Sequence, residues 1–67
     1  MEKVLNKVAE YRQKNEETQE ELAAAVGVTR QTVIAIERGN YTPSVRLALK
    51  IAQHYSKKTD DIFSLDE

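Results

Sequence analysis

The sequence predicts an all-α fold, a compact bundle of five short helices organised around a helix-turn-helix at residues 18–37. Three features of that stretch predict it. Thr18 is followed three residues later by Glu21, the capping-box spacing of a helix start. Gly27 can take the left-handed conformation that closes a helix, and Thr29 then supplies a second N-cap. Two helices joined by three or four residues with glycine in the turn form a helix-turn-helix.

The predicted first helix covers residues 1–14, where apolar residues recur at three- and four-residue steps. This stripe consists of Val4, Leu5, Val8 and either Tyr11 or Arg12. In the link that follows, we expect Asn15 to adopt the left-handed closing conformation. Glu17 stands where an apolar residue would staple onto the next helix, so we expect a loose junction there.

Two more helices are predicted after the helix-turn-helix. The fourth is capped by Ser44 and runs to about Tyr55, with a wide apolar stripe. The residues expected on this buried stripe are Val45, Ala48, Leu49, Ala52 and Tyr55, with Leu47 and Ile51 on the adjoining buried side. A short fifth helical turn over residues 60–65 would place Ile62, Phe63 and Leu65 against the core.

Length and composition bound the class of protein. The 67 residues make a single domain over residues 1–67. The chain has no cysteine, which excludes disulfides and thiolate metal sites. No apolar run approaches the roughly 18 residues of a membrane span. We therefore expect a soluble cytoplasmic protein with no membrane partner.

Charge is unevenly distributed along the chain. The net charge is −1, yet residues 29–58 carry six basic side chains against Glu37 alone. Residues 59–67 carry four acidic side chains and no basic one. Such segregation gives either one basic face for nucleic acid or an uneven solvated surface, and charge alone does not decide between them.

Arrangements typical of enzymes are missing from the sequence. His54 has no cysteine and no second histidine as a co-ligand, so we expect an ordinary helix-surface histidine and no metal or other cofactor. Glu20 and Glu21 are neighbours on a helix and diverge by about 100°. Carboxylates at the start of a helix interact favourably with the helix dipole, and this structural role explains why both residues are acidic. We predict no catalytic residue and no enzymatic activity.

From about Val8 to Phe63 the chain resembles the Xre/Cro/phage-repressor type of helix-turn-helix DNA-binding proteins. The matching positions are Gln19, Ala23, Gly27, Val28, Val33, Ile36 and Glu37, the run 29–32, and the segments 39–44 and 47–52. The resemblance implies a lambda-repressor-like DNA-binding domain that reads bases through the second helix of the motif. It also implies that Arg12 and Glu37 form a structural ion pair.

In a helix-turn-helix, the N-terminal residues of the second helix meet base edges in the major groove. Arginine can bind guanine, and glutamine adenine, through two parallel hydrogen bonds. The expected base contacts are Thr29, Arg30, Gln31, Thr32, Ile34 and Ala35. The backbone contacts implied by the resemblance are Gln19, Arg38, Asn40, Tyr41 and Arg46. For Tyr41, packing against Pro43 is an equally good interpretation.

These expectations describe a sequence-specific regulator of transcription, a repressor that binds a palindromic operator in double-stranded DNA as a homodimer. The expected dimerisation surface lies in the C-terminal segment 59–67, at Ile62, Phe63 and Leu65. Two alternatives stay open. One is an antitoxin whose acidic end binds a partner toxin, and the other is a helical protein-interaction module without DNA binding.

Overall fold

A computed structural model describes residues 2–66 of the chain. Met1, the first residue of the predicted first helix, and Glu67, the last of the C-terminal segment, lie outside this range. Seven elements follow one another: β1 (Lys3–Asn6), α1 (Val8–Lys14), α2 (Gln19–Val26), α3 (Arg30–Glu37), α4 (Val45–His54), α5 (Thr59–Ile62) and β2 (Phe63–Asp66). None of the helices in residues 2–66 is long and apolar enough to cross a membrane.

The predicted helix-turn-helix is formed by α2 and α3. The Thr18 hydroxyl accepts a hydrogen bond from the backbone N–H of Glu21 at 3.0 Å, and the Glu21 carboxylate accepts the N–H of Thr18 at 2.8 Å. Gly27 closes α2 in the left-handed region, with φ of 76°. Thr29 caps α3. The capping signals that predicted both helices therefore act as expected.

A two-stranded antiparallel sheet joins the two ends of the chain, with Val4 opposite Leu65. The predicted helix over residues 1–14 is therefore wrong for residues 3–6, and the fifth helix ends at Ile62. Strand hydrogen bonds come from a partner strand, and here the partner is about sixty residues away in sequence. Helical spacing of apolar residues within residues 1–14 gave no sign of that pairing.

Within residues 2–66, a single apolar core lies between the helices and is closed by Ile62. It consists of Val8, Leu22, Ala23, Val26, Val33, Ile36, Leu47, Ile51, Ala52, Tyr55 and Ile62. On α4 the buried side is centred on Leu47 and Ile51. Val45 and Leu49, predicted to be buried, are instead 77% and 53% exposed. The predicted stripe was wider than the single face that α4 turns to the core.

The link between α1 and α2 differs from expectation in two ways. Asn15 is not left-handed; Glu16 takes that conformation, with φ of 52°. Glu17 makes polar contacts where an apolar staple would pack. Its carboxylate accepts hydrogen bonds from the Tyr55 hydroxyl at 2.7 Å and from His54 Nε2 at 2.5 Å. Polar contacts to α4 thus hold the junction that we expected to be loose.

Asn6 connects the sheet to the helix-turn-helix. Its side-chain Nδ2 donates to the carbonyl oxygen of Ile36 at 2.8 Å, near the end of α3. Its Oδ1 accepts the backbone N–H of Val8 at the start of α1. The end of β1 therefore fixes both the start of α1 and the end of α3.

Candidate nucleic-acid interface

The first turn of α3 is presented to solvent. Val33 and Ile36 are buried in the core, and this fixes the rotation of the helix about its axis. Thr29, Arg30 and Gln31 are consequently exposed at its N-terminal end. This end thus offers a guanidinium and an amide, the two groups that make bidentate contacts with purines.

The other three predicted base contacts, Thr32, Ile34 and Ala35, are half-buried. The Thr29 and Thr32 hydroxyls lie 3.1 Å apart, and Thr29 also accepts the backbone N–H of Thr32. Their hydroxyls are therefore already used in capping α3. Ile34 is partly covered, so only part of its apolar side chain is available for contact with DNA.

The predicted backbone contacts after α3 form a second exposed group. Arg38, Asn40, Tyr41 and Arg46 are all exposed between the end of α3 and the first turn of α4. A cavity of about 330 Å³ beside the α2–α3 turn is lined by Thr32, Tyr41, Arg46 and Lys50, among others. The fold thus brings one predicted base contact next to two predicted backbone contacts.

Lys50 was missed by the sequence analysis. It lines the same cavity as Arg46, one helical turn further along α4. The signal was available, because residues four apart on a helix lie on one face. Arg46 and Lys50 together make that side of α4 positive beside the turn of the helix-turn-helix.

A cleft of about 620 Å³ opens where α1, α2 and α3 meet. It is lined by Arg12, Thr18, Gln19, Glu20 and Arg30. Gln19 is the first residue of α2, where backbone N–H groups lack partners within the helix and attract anions. The cleft therefore places the predicted phosphate contact Gln19 beside the predicted base contact Arg30.

Arg12, which lines this cleft, is in contact with Glu37. Arg12 Nε lies 2.7 Å from Glu37 Oε2, and Arg12 Nη2 donates to Glu37 Oε1 at 3.3 Å. The hydrogen bond to Glu37 raises the pKa of Arg12 above its ordinary value. Gln19 Nε2 also donates to Glu37 Oε1, at 3.0 Å. The pair ties α1 to the end of α3 and reaches the start of α2.

Comparison with known protein families matches residues 8–62 to the helix-turn-helix family HTH_3. The chain belongs to this family. HTH_3 proteins of the Xre/Cro type are non-enzymatic and bind DNA, in agreement with the predicted resemblance and with the prediction that the chain is not an enzyme.

Relatives of this helix-turn-helix protein match it over nearly their full length. It is 55% identical over 62 residues to the uncharacterized HTH-type transcriptional regulator YgzD of Bacillus subtilis, covering 92% of this chain and 94% of YgzD. It is 50% identical over 62 residues to an uncharacterized HTH-type transcriptional regulator of Methanocaldococcus jannaschii, with the same two coverages.

A solved structure shares the fold. The clp gene regulator ClgR from Corynebacterium glutamicum superposes with a TM-score of 0.75 at 24% identity, covering 81% of this chain and 57% of ClgR. At that identity the likeness concerns the fold alone.

The helix-turn-helix match ends at Ile62, so both strands lie outside it. Ile62 was predicted on the dimerisation surface, but it is 2% exposed and fills the core, so that prediction is wrong for this residue. Phe63 packs partly against the core, and Leu65 is 57% exposed. Together with Val4, the cross-strand partner of Leu65, they line a shallow cavity of about 410 Å³.

Proposed function

We propose that this helix-turn-helix protein is a sequence-specific, double-stranded DNA-binding regulator of transcription. The observation that carries the proposal is the cleft shared by Gln19 and Arg30. Sequence-specific binding needs phosphate contacts that fix the position of the protein and base contacts that read the sequence. In this cleft a candidate for each role stands side by side on two helices held by one core.

Base reading is assigned to the first turn of α3. Arg30 and Gln31 are exposed there, and their side chains suit guanine and adenine respectively. Thr29, Thr32, Ile34 and Ala35 offer methyl groups for contact with thymine on the same helix. The half-buried side chains among them contribute less surface than Arg30 and Gln31.

Backbone contacts are assigned to both flanks of α3. Gln19 and the start of α2 hold one phosphate. Arg38, Asn40, Tyr41 and Arg46 hold others on the second flank, and Lys50 extends that positive surface. The net charge of −1 is a sum over the whole chain, and it does not oppose this binding because residues 29–58 carry six basic side chains against Glu37 alone.

The operator is proposed to be palindromic and the binding unit a homodimer. One recognition helix reads few base pairs, and two-fold partners read half-sites about 34 Å apart. We assign the dimer contact to Phe63 and Leu65 with Val4, and repression to occupancy of the operator by the bound dimer.

The experiment that tests this function is selection from a random duplex library, followed by titration of the recovered duplex at two salt concentrations. We expect an inverted repeat, nanomolar affinity and a steep fall in affinity with salt. Weak binding that is equal on all sequences would refute base reading. It would favour the alternative of a helical protein-interaction module.

A further inference from the structure

The carboxylate of Glu37 joins two side chains from two other segments of the chain. Its two oxygens accept Arg12 Nε at 2.7 Å and Arg12 Nη2 at 3.3 Å, and one of them also accepts Gln19 Nε2 at 3.0 Å. The Glu37 side chain is 8% exposed and the Arg12 side chain 14%. Contacts so shielded from water are stronger than surface contacts. The Gln19 amide is therefore held by a fixed acceptor.

We propose that Glu37 is a positioning residue for DNA binding. It holds the Gln19 amide in the one orientation that presents an N–H group to a phosphate at the start of α2. This inference rests on the proposed function, because Gln19 meets a phosphate only if DNA binds at this end of the motif. Glu37 itself lies at the opposite end of α3 from Arg30 and needs no contact with DNA.

The orientation follows from the chemistry of the amide. Its oxygen cannot face the Glu37 carboxylate, because two acceptors repel each other, so the nitrogen must face it. Nε2 carries two hydrogens, and the contact with Glu37 uses one of them. The second remains available as a donor to an anion. Without Glu37, the amide can turn its oxygen towards the phosphate, where it repels the ligand.

Arg12 makes this arrangement compatible with DNA. A bare carboxylate beside a phosphate site would repel the backbone, but the guanidinium bonded to both oxygens cancels the charge of Glu37. The pair thus orients Gln19 without adding net charge to the cleft. Fixing the amide before binding also removes part of the side-chain entropy cost of complex formation.

The test compares the unchanged protein with the double variant Arg12→Met, Glu37→Met. Both have the same net charge, because the double variant loses one positive and one negative side chain, but only the unchanged protein has the acceptor-only carboxylate at residue 37. The probe is the duplex recovered by selection, titrated with each folded protein. We expect the double variant to bind about tenfold more weakly, the size of one lost hydrogen bond between Gln19 and a charged phosphate.

A third substitution separates positioning from general structure. With Gln19→Ala added to both proteins, the difference in affinity should vanish, since the residue to be positioned is gone. Equal affinities of the unchanged protein and the folded double variant would overturn the proposal. So would a difference that persists after Gln19→Ala. Failure of the unchanged protein to select any duplex overturns the proposed function itself and is seen before a variant is made.

Discussion

The hydroxyl of Tyr55 donates a hydrogen bond of 2.7 Å to the carboxylate of Glu17, and this contact fastens the end of α4 to the link between α1 and α2. The backbone carbonyl of Glu17 also accepts Arg12 Nη1 at 2.9 Å. Glu17 therefore occupies the usual position of an apolar staple but works through hydrogen bonds. Arg12 also bonds to Glu37, so hydrogen bonds connect this link to the end of α3.

Tyr55 makes the folded protein sensitive to alkali. Burial, and then the bond to Glu17, raise the pKa of Tyr55 above its ordinary value of 10.0. Because the folded pKa is the higher one, the stability contributed by this group is complete below about pH 10 and is lost as the pH rises above it. Tyr55→Phe should cost about 1 kcal/mol at neutral pH and remove this alkaline loss.

Urea unfolding of the wild type and Tyr55→Phe between neutral pH and about pH 11 measures both effects. Tyr41→Phe is the matched control, because Tyr41 is an exposed tyrosine on the loop before α4. Its stability should follow the wild type at every pH. An alkaline loss of the same size in Tyr55→Phe would show that another group causes it.

The Arg12–Glu37 pair should be costly to break from one side. Arg12→Met leaves the largely buried Glu37 carboxylate without its partner, and we expect a loss of about 3 kcal/mol in the free energy of unfolding. Replacing both residues by methionine removes the uncompensated charge, so the double variant should be more stable than Arg12→Met alone. Urea unfolding measures the free energy of unfolding of both variants. Equal values would show that the Glu37 carboxylate in Arg12→Met is not shielded from water.

Residue patterns within a few positions predicted the helices of the motif, whereas contacts between residues far apart in the sequence could not be predicted. Thr18, Gly27 and Ser44 act within three or four residues of themselves, and each caps or closes the helix that was predicted for it. The pairing of Val4 with Leu65 depends on two segments about sixty residues apart. No spacing within residues 1–14 reports on such a partner.

Side-chain contacts between residues far apart in the chain could not be predicted from the sequence either. The apolar spacing of α4 predicted burial of Leu47 and Leu49 alike, and it did not show that the core leaves Leu49 in solvent. Glu17 was interpreted by what an apolar residue would do there, because its partners His54 and Tyr55 lie 37 and 38 residues away. The helix-turn-helix resemblance supplied Arg12 and Glu37 as a pair, and their spacing of 25 residues would not have done so.

Glu21 should contribute to stability only above acidic pH. Hydrogen bonds from Thr18 lower the pKa of Glu21 below its ordinary value of 4.5. Since the folded pKa is the lower one, its contribution is complete above about pH 4.5 and is lost as the pH falls through the folded pKa. Glu21→Gln should therefore be less stable than the wild type at neutral pH, and the difference should fade as the pH falls through the folded pKa.

Urea midpoints across this pH range measure the difference. Glu20→Gln makes the same charge change one residue away, outside the capping box. It should lack the pH-dependent part that belongs to the contact with Thr18. A difference between wild type and Glu21→Gln that stays constant from neutral to acidic pH would contradict the assignment of the lowered pKa to folding.

The proposed dimer contact predicts that Leu65→Glu produces monomers. A carboxylate on the apolar patch of Val4, Phe63 and Leu65 must lose water when a second copy covers it, so the dissociation constant should rise at least tenfold. Sedimentation equilibrium measures it. Leu49→Glu is the control, because Leu49 is similarly exposed but lies on α4. Monomers from Leu49→Glu and dimers from Leu65→Glu would move the contact to α4.

Arg30 and Arg38 should affect DNA binding in different ways. If Arg30 binds a guanine edge, Arg30→Ala should cost about 1–3 kcal/mol on the selected duplex and relax the preference at one base pair. If Arg38 binds a phosphate, Arg38→Ala should weaken binding to all duplexes alike and reduce the salt slope by about one. Titration of each variant against the selected duplex, single-base variants of it and an unrelated duplex separates the two roles. An Arg30→Ala loss that is equal on every duplex would assign Arg30 to the backbone and leave Gln31 as the remaining exposed candidate for purine recognition.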